Sequence, residues 1–82
     1  MHSKATEIRI PDLGEVDDVR IVGWLVPSGS RVALDQDVLE VETEKTTFVI
    51  PAPADGRLMH GHAAEGDTVR RGDVVGVIEA GE

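Results

Sequence analysis

The sequence predicts an all-β fold of two four-stranded antiparallel sheets, and three observations lead there. Eight short runs rich in Val, Ile and Leu stand between turns marked by Pro, Gly, Asp and Ser, with prolines and glycines expected only where strands end. The second half of the chain repeats the first: Arg20-Ile21, Trp24, Val26, Gly29 and Val32 recur as Arg57-Leu58, Gly61, Ala63, Gly66 and Val69, a constant offset of 37. Shorter matches, Asp37-Val38-Leu39 with Asp73-Val74-Val75 at 36 and Ile10-Pro11 with Ile50-Pro51 at 40, extend the repeat with small insertions and deletions. The apolar stock fits as well, since one Trp, one Phe and no Tyr leave Val, Ile, Leu and Ala to build a core of thin packed sheets.

Residues 1–6 form a polar tail, and Glu7-Ile8-Arg9-Ile10 alternates as a half-buried first strand that Pro11 ends. Residues 13–18 read as an acidic loop. The second strand, residues 19–26, sets Val19, Ile21, Gly23 and Leu25 on one face against Arg20, Val22, Trp24 and Val26, so both faces are largely apolar. A Pro27-Ser28-Gly29-Ser30 turn, a short Arg31-Val32 piece and an Asp35-Gln36-Asp37 turn follow. A helix over residues 35–45 would gather Val38, Val41 and Glu42 on one side. The β-branched Val41, Thr43, Thr46 and Thr47, and the strand-like parallel segment at residues 74–78, favour a strand instead. Residues 46–50 make the fifth strand, and the Pro51 to Gly56 corner repeats that of Pro11 to Gly14. Residues 57–63, a piece at Val69 and residues 74–78 complete the eight.

Eighty-two residues support one small core. Without cysteine there is no disulfide, no thiolate metal site and no redox chemistry from the chain's own side chains. A net charge of −8 argues against nucleic acid, whose phosphates need clustered Lys and Arg, and favours partners with basic docking faces. No apolar run approaches the roughly 18 residues of a membrane span. Met1-His2-Ser3-Lys4 lacks the apolar stretch of a signal peptide, so the expected location is the bacterial cytoplasm or the mitochondrial matrix.

Between the fourth and fifth strands lies Glu42-Thr43-Glu44-Lys45-Thr46-Thr47, with Glu44 and Lys45 at the tip of the turn. A charged turn residue is ordinarily only soluble surface. Here, however, Lys45 is one of two lysines, the other being Lys4 in the tail, and it stands on the hinge between the two repeats. An ordinary lysine amine is protonated at pH 7 and is no nucleophile, so such a residue gains chemistry only by modification.

The stretch Val41-Glu42-Thr43-Glu44-Lys45-Thr46 resembles the Glu-Thr-Asp-Lys-Ala signature of lipoyl domains in 2-oxo acid dehydrogenase acyltransferases. Ile50-Pro51-Ala52-Pro53, Gly56, Pro11-Asp12-Leu13-Gly14-Glu15 and Gly66-Asp67-Thr68-Val69 carry the resemblance over residues 7–80, with 81–82 starting a linker or tail. Glu44 for the commoner Asp and Thr46 for the commoner Ala are small departures within the turn. The resemblance implies a flattened barrel with a pseudo-twofold axis, its termini adjacent in one sheet and its tip at the far end of the other. It further implies lipoate in amide linkage to Lys45, with Glu42, Thr43, Glu44 and Thr46 as flanking recognition residues. The acidic loop Glu15, Val16, Asp17 and Asp18 would lie beside the tip and help partner enzymes tell one such domain from another.

In the function so implied, a lipoate-attaching enzyme modifies Lys45 and a thiamine diphosphate-dependent 2-oxo acid dehydrogenase reductively acylates the arm. An acyltransferase core passes the acyl group to coenzyme A, and dihydrolipoyl dehydrogenase reoxidises the dithiol. The domain would be a non-catalytic, monomeric carrier within a larger assembly, and residues 11–19 resemble pyruvate-type domains more than 2-oxoglutarate-type ones. Two other readings remain open. A biotinyl domain of a carboxylase shares fold and tip lysine, but its signature has methionine on both sides, where this chain has Glu44 and Thr46; an unmodified interaction module is the other. His60 and His62 could share a strand face, but with His2 in the tail and no third ligand they read as surface histidines. Asp17-Asp18 and Asp35-Asp37 lack calcium-loop spacing and read as solvated turn carboxylates.

Overall fold

β-branched residues that alternate with polar ones can bury one face of a short strand, and such strands become stable by pairing in numbers and covering that face with a second sheet. A computed structural model, which describes residues 5–14, 18–61 and 63–80, shows this arrangement. The strands are β1 (Ala5–Arg9), β2 (Val19–Trp24), β3 (Arg31–Val32), β4 (Asp37–Glu42), β5 (Thr47–Pro51), β6 (Gly56–His60), β7 (Thr68–Val69) and β8 (Val74–Glu79). They form two four-stranded sheets, ordered β1-β8-β6-β3 and β5-β4-β2-β7, with every pairing antiparallel. β1 starts at Ala5, two residues inside the expected tail.

Exchanging β1 with β5, β2 with β6, β3 with β7 and β4 with β8 converts one sheet order into the other. β2, β3 and β4 begin at 19, 31 and 37, and β6, β7 and β8 at 56, 68 and 74, so the offset is 37 throughout. This corrects the offset of 36 read from Asp37 and Asp73. Asp73 is instead the counterpart of Gln36: the Ala33 N–H donates to Gln36 Oε1 at 3.0 Å and the Arg70 N–H to Asp73 Oδ2 at 2.9 Å. β1 and β5 begin at 5 and 47, an offset of 42. Ile10 therefore corresponds to Ala52 rather than to Ile50: the Ile10 N–H donates to Asp73 O at 3.0 Å and the Ala52 N–H to Gln36 O at 2.8 Å.

The core lies between the sheets and draws on both repeats, with Ile8, Val41, Leu58 and Ile78 at 1% exposure or less. Each such side chain contributes about 1.5–3 kcal/mol by its burial. No polar or charged side chain is buried among the described residues, so the core is held by apolar burial and by the backbone ladders of its sheets.

Three expectations are corrected. Gly23 and Gly76 lie inside β2 and β8, as the strand spans 19–26 and 74–78 require, so the rule that glycines stand only where strands end does not hold. Ile21 pairs with Val41 while Gly23 pairs with Glu40, which leaves Val22 as an extra residue and reverses the faces beyond it. Leu25, placed by simple alternation on the face of Val19 and Ile21, is consequently 48% exposed, whereas Trp24 and Val26 turn against the core. His60 is half-buried rather than a surface histidine. It stacks on Trp24 with ring centroids 4.2 Å apart, and its Nε2 lies 2.8 Å from the Val26 carbonyl. Trp24 Nε1 in turn donates to the Ala63 carbonyl at 3.1 Å, in the segment that follows β6. His62 lies outside the described residues.

The start of β1 and the end of β8 lie at one end of the sandwich and the β4–β5 turn at the other. Ala5 pairs with Glu79 and Glu79 with Arg57, while at the other end Arg20 pairs with Glu42 and Glu42 with Thr47. β2 runs from the second end to the first, since the Gly29 N–H beyond it donates to Leu58 O, beside Arg57, at 2.6 Å.

Candidate functional site

The β4–β5 hairpin carries the lysine. Val41 faces Phe48 and Glu42 faces Thr47 across the two strands, and Val41 is fully buried, so both legs of the turn are fixed in the sheet. Residues 43–46 bridge them. The Thr43 N–H donates to the Thr46 carbonyl at 2.8 Å. The return bond goes to a side chain: Thr43 Oγ1 accepts from the Thr46 N–H at 3.2 Å and from the Lys45 N–H at 3.1 Å, and it lies 3.2 Å from the Thr46 carbonyl, to which it donates. Ser and Thr hydroxyls at the first position of a turn make such local bonds.

The residues expected around the lysine gather at this tip. Glu44, Lys45 and Thr46 are exposed, and Glu42 and Thr43 are half-buried. Glu42 Oε2 lies 3.5 Å from Arg20 Nη1, with both side chains substantially exposed, so the pair is worth little. Lys45 makes no ion pair among the described residues, so acylating its amine would break none of those that the fold makes there. Asp18 is exposed immediately before β2, whose first residues pair with the end of β4 that leads into the tip. Glu15, Val16 and Asp17 lie outside the described residues. Thr43, expected as a recognition residue, is also the residue that builds the turn. Its signal in the sequence was a threonine followed by two charged residues between β-forming runs.

An exposed lysine on a hydrogen-bonded hairpin tip, in a two-sheet domain with twofold internal repetition, defines a domain built to display one amine. The sequence profile described as Biotin-requiring enzyme, that of the biotin/lipoyl attachment domain, matches residues 6–78, and the chain belongs to that family. Within the family it is a lipoyl domain. It resembles the solved lipoyl domain of the 2-oxoglutarate dehydrogenase complex from Azotobacter vinelandii at 31% identity and a TM-score of 0.74, over 93% of this chain and 99% of that one. The dihydrolipoyllysine-residue succinyltransferase component of the 2-oxoglutarate dehydrogenase complex from Bartonella vinsonii is 43% identical over 77 residues, 93% of this chain. The acetyltransferase component of the pyruvate dehydrogenase complex from Corynebacterium glutamicum is 40% identical over 72 residues, 87% of this chain. The chain spans 19% and 11% of the lengths of those two relatives. A segment of the Kluyveromyces lactis urea carboxylase has the same fold, with a TM-score of 0.76 and 25% identity over 92% of this chain and 6% of that one. Relatives from both dehydrogenase complexes are present, so they do not single out the pyruvate type.

Proposed function

We propose that Lys45 carries lipoate in amide linkage and that the domain is the acyl-carrying arm of a 2-oxo acid dehydrogenase complex. The observation that carries this reading is the position of Lys45, exposed on a tip closed by four hydrogen bonds, in a chain of the biotin/lipoyl family. When attached, the lipoyl group supplies a disulfide able to accept electrons and an acyl group, chemistry absent from the side chains of a cysteine-free sequence. The role of the chain's own residues is presentation. β4 and β5 hold the base of the arm, Thr43 holds the turn, and the exposed Lys45 stem leaves the arm free to move between partners.

The role we assign is delivery, with catalysis left to the partners. These are a lipoate-attaching enzyme, a thiamine diphosphate-dependent dehydrogenase, an acyltransferase core and dihydrolipoyl dehydrogenase, in line with the complexes named for the relatives. The residues we assign to recognition are Glu42, Thr43, Glu44 and Thr46 for the attaching enzyme and Glu15, Val16, Asp17 and Asp18 for the dehydrogenase. The domain occupies residues 7–80, and the compartment that goes with this reading is the bacterial cytoplasm or the mitochondrial matrix. Tethering in a larger assembly makes each visit intramolecular, with effective concentrations on the order of millimolar, so weak docking suffices.

The test is peptide mapping after expression with a lipoate-attaching enzyme and lipoate. The expected result is lipoyl on the Lys45 peptide, and none on a Lys45→Arg chain that keeps the fold. Lipoyl on Lys4, or biotin on Lys45, would overturn the assignment.

A further inference from the structure

We infer that Thr43 is the positioning residue of this site: its hydroxyl fixes the backbone of Lys45 and thereby the place at which the amine is offered to the attaching enzyme. The inference rests on the reading that Lys45 is modified, and it starts from an irregularity of the turn. A two-residue hairpin loop matches the twist of its strands when one or both central residues have positive φ, and residues of negative φ tend to splay the strands. Neither Glu44 nor Lys45 has positive φ, since Asp35 is the one non-glycine residue that does among those described.

The turn nonetheless joins two strands in regular register, Glu42 opposite Thr47 and Val41 opposite Phe48. What holds it is the Thr43 side chain. Its Oγ1 receives the amides of Lys45 and Thr46 at 3.1 and 3.2 Å and donates to the Thr46 carbonyl at 3.2 Å, while the Thr43 amide donates to the same carbonyl at 2.8 Å. Three of these four bonds involve this one hydroxyl, and one of them comes from the amide of the modified residue itself. Removing the hydroxyl releases both amides to water at an exposed site. The fold loses little, but the lysine backbone loses the contacts that orient it.

A side chain merely flanking the lysine would be read by direct contact and could be replaced by any residue the enzyme tolerates. A positioning hydroxyl is instead replaceable only by a side chain whose oxygen can accept the same two amides, and its loss shows in the backbone before the enzyme arrives. The experiment compares the wild-type chain with Thr43→Ser and Thr43→Val. Initial lipoylation rates are followed by intact mass at a temperature where thermal unfolding shows all three to be folded, and exchange of the Lys45 and Thr46 amides is followed by NMR in the unmodified chains. Thr43→Val is expected to be modified about tenfold more slowly, in line with the cost of displacing a reacting group, and to exchange both amides faster. Thr43→Ser is expected to stay within about twofold of wild type in both readouts. Equal lipoylation of Thr43→Val and wild type, or a Thr43→Ser chain as slow as Thr43→Val, would overturn this inference and leave the carrier reading standing. A wild-type chain that takes no lipoyl group would overturn the carrier reading, and this inference with it.

Discussion

Asp35 has φ of 72°, and the residue in its place in the second repeat is Gly72, at 88°. Left-handed backbone costs an ordinary L-residue about 1–2 kcal/mol, and Asp bears it better than most because its short side chain can bond locally. The same turn is thus built once with a tolerant residue and once with the residue that has no penalty. Asp35→Ala is expected to lower stability by about 1 kcal/mol, and Asp35→Gly to stay within about 0.5 kcal/mol of wild type because relief of strain offsets a more flexible unfolded chain. Urea denaturation of the three chains measures both. This scale was the least legible in the sequence. The identity of Asp37 with Asp73 suggested an offset of 36, but the acceptors that close the two turns are Gln36 and Asp73, which differ in type and agree in position. Thr43 was singled out for recognition because letters alone do not distinguish a hydroxyl that bonds to its own turn from one that faces a partner.

At the scale of elements, the eight strands, their antiparallel pairing and the tip were legible, because alternation of β-branched residues and the placing of Pro and Gly are local signals. The bulge at Val22 has no such signal, yet it sets which way Trp24, Leu25 and Val26 point. With the faces reversed beyond it, Trp24 reaches across to the other sheet, where its counterpart is Gly61 and where Gly76 leaves room beside its ring. A Cβ at Gly76 would stand 2.8 Å from the Met59 carbonyl oxygen and 3.0 Å from Trp24 Cη2. The ring of Trp24 thus occupies space that Gly76 leaves open, whereas Gly61 is kept small by the backbone of Val75, whose carbonyl oxygen would stand 2.7 Å from a Cβ there. Gly76→Ala is expected to cost about 2–3 kcal/mol, since the nearer obstacle is backbone and cannot rotate away. Denaturant unfolding monitored by Trp24 fluorescence would read this loss. Chains that remain folded should still be lipoylated, because the tip lies at the far end of β4.

At the scale of the whole molecule, the start of β1 and the end of β8 stand at the opposite end of the sandwich from Lys45, and the chain carries a net charge of −8. Asp18 is exposed at the tip end, and Asp17 precedes it. Asp17→Asn with Asp18→Asn is expected to leave lipoylation nearly unchanged while slowing transfer from the dehydrogenase. The effect should be larger at low salt than at 0.1 M, where screening sets in beyond about 10 Å. Equal losses at both salt concentrations would remove the electrostatic role. The two-sheet plan and its twofold repetition were foreseen from the repeat, whereas the residues that make the halves unlike became visible only in three dimensions. The carrier role itself is tested most directly by incubating the lipoylated chain with a 2-oxo acid dehydrogenase, thiamine diphosphate and the 2-oxo acid, then mapping the acyl group by mass spectrometry. The predicted result is one acyl group on the Lys45 peptide and none on a Lys45→Arg chain. A lipoylated chain left unacylated by the pyruvate, 2-oxoglutarate and branched-chain dehydrogenases alike would contradict it.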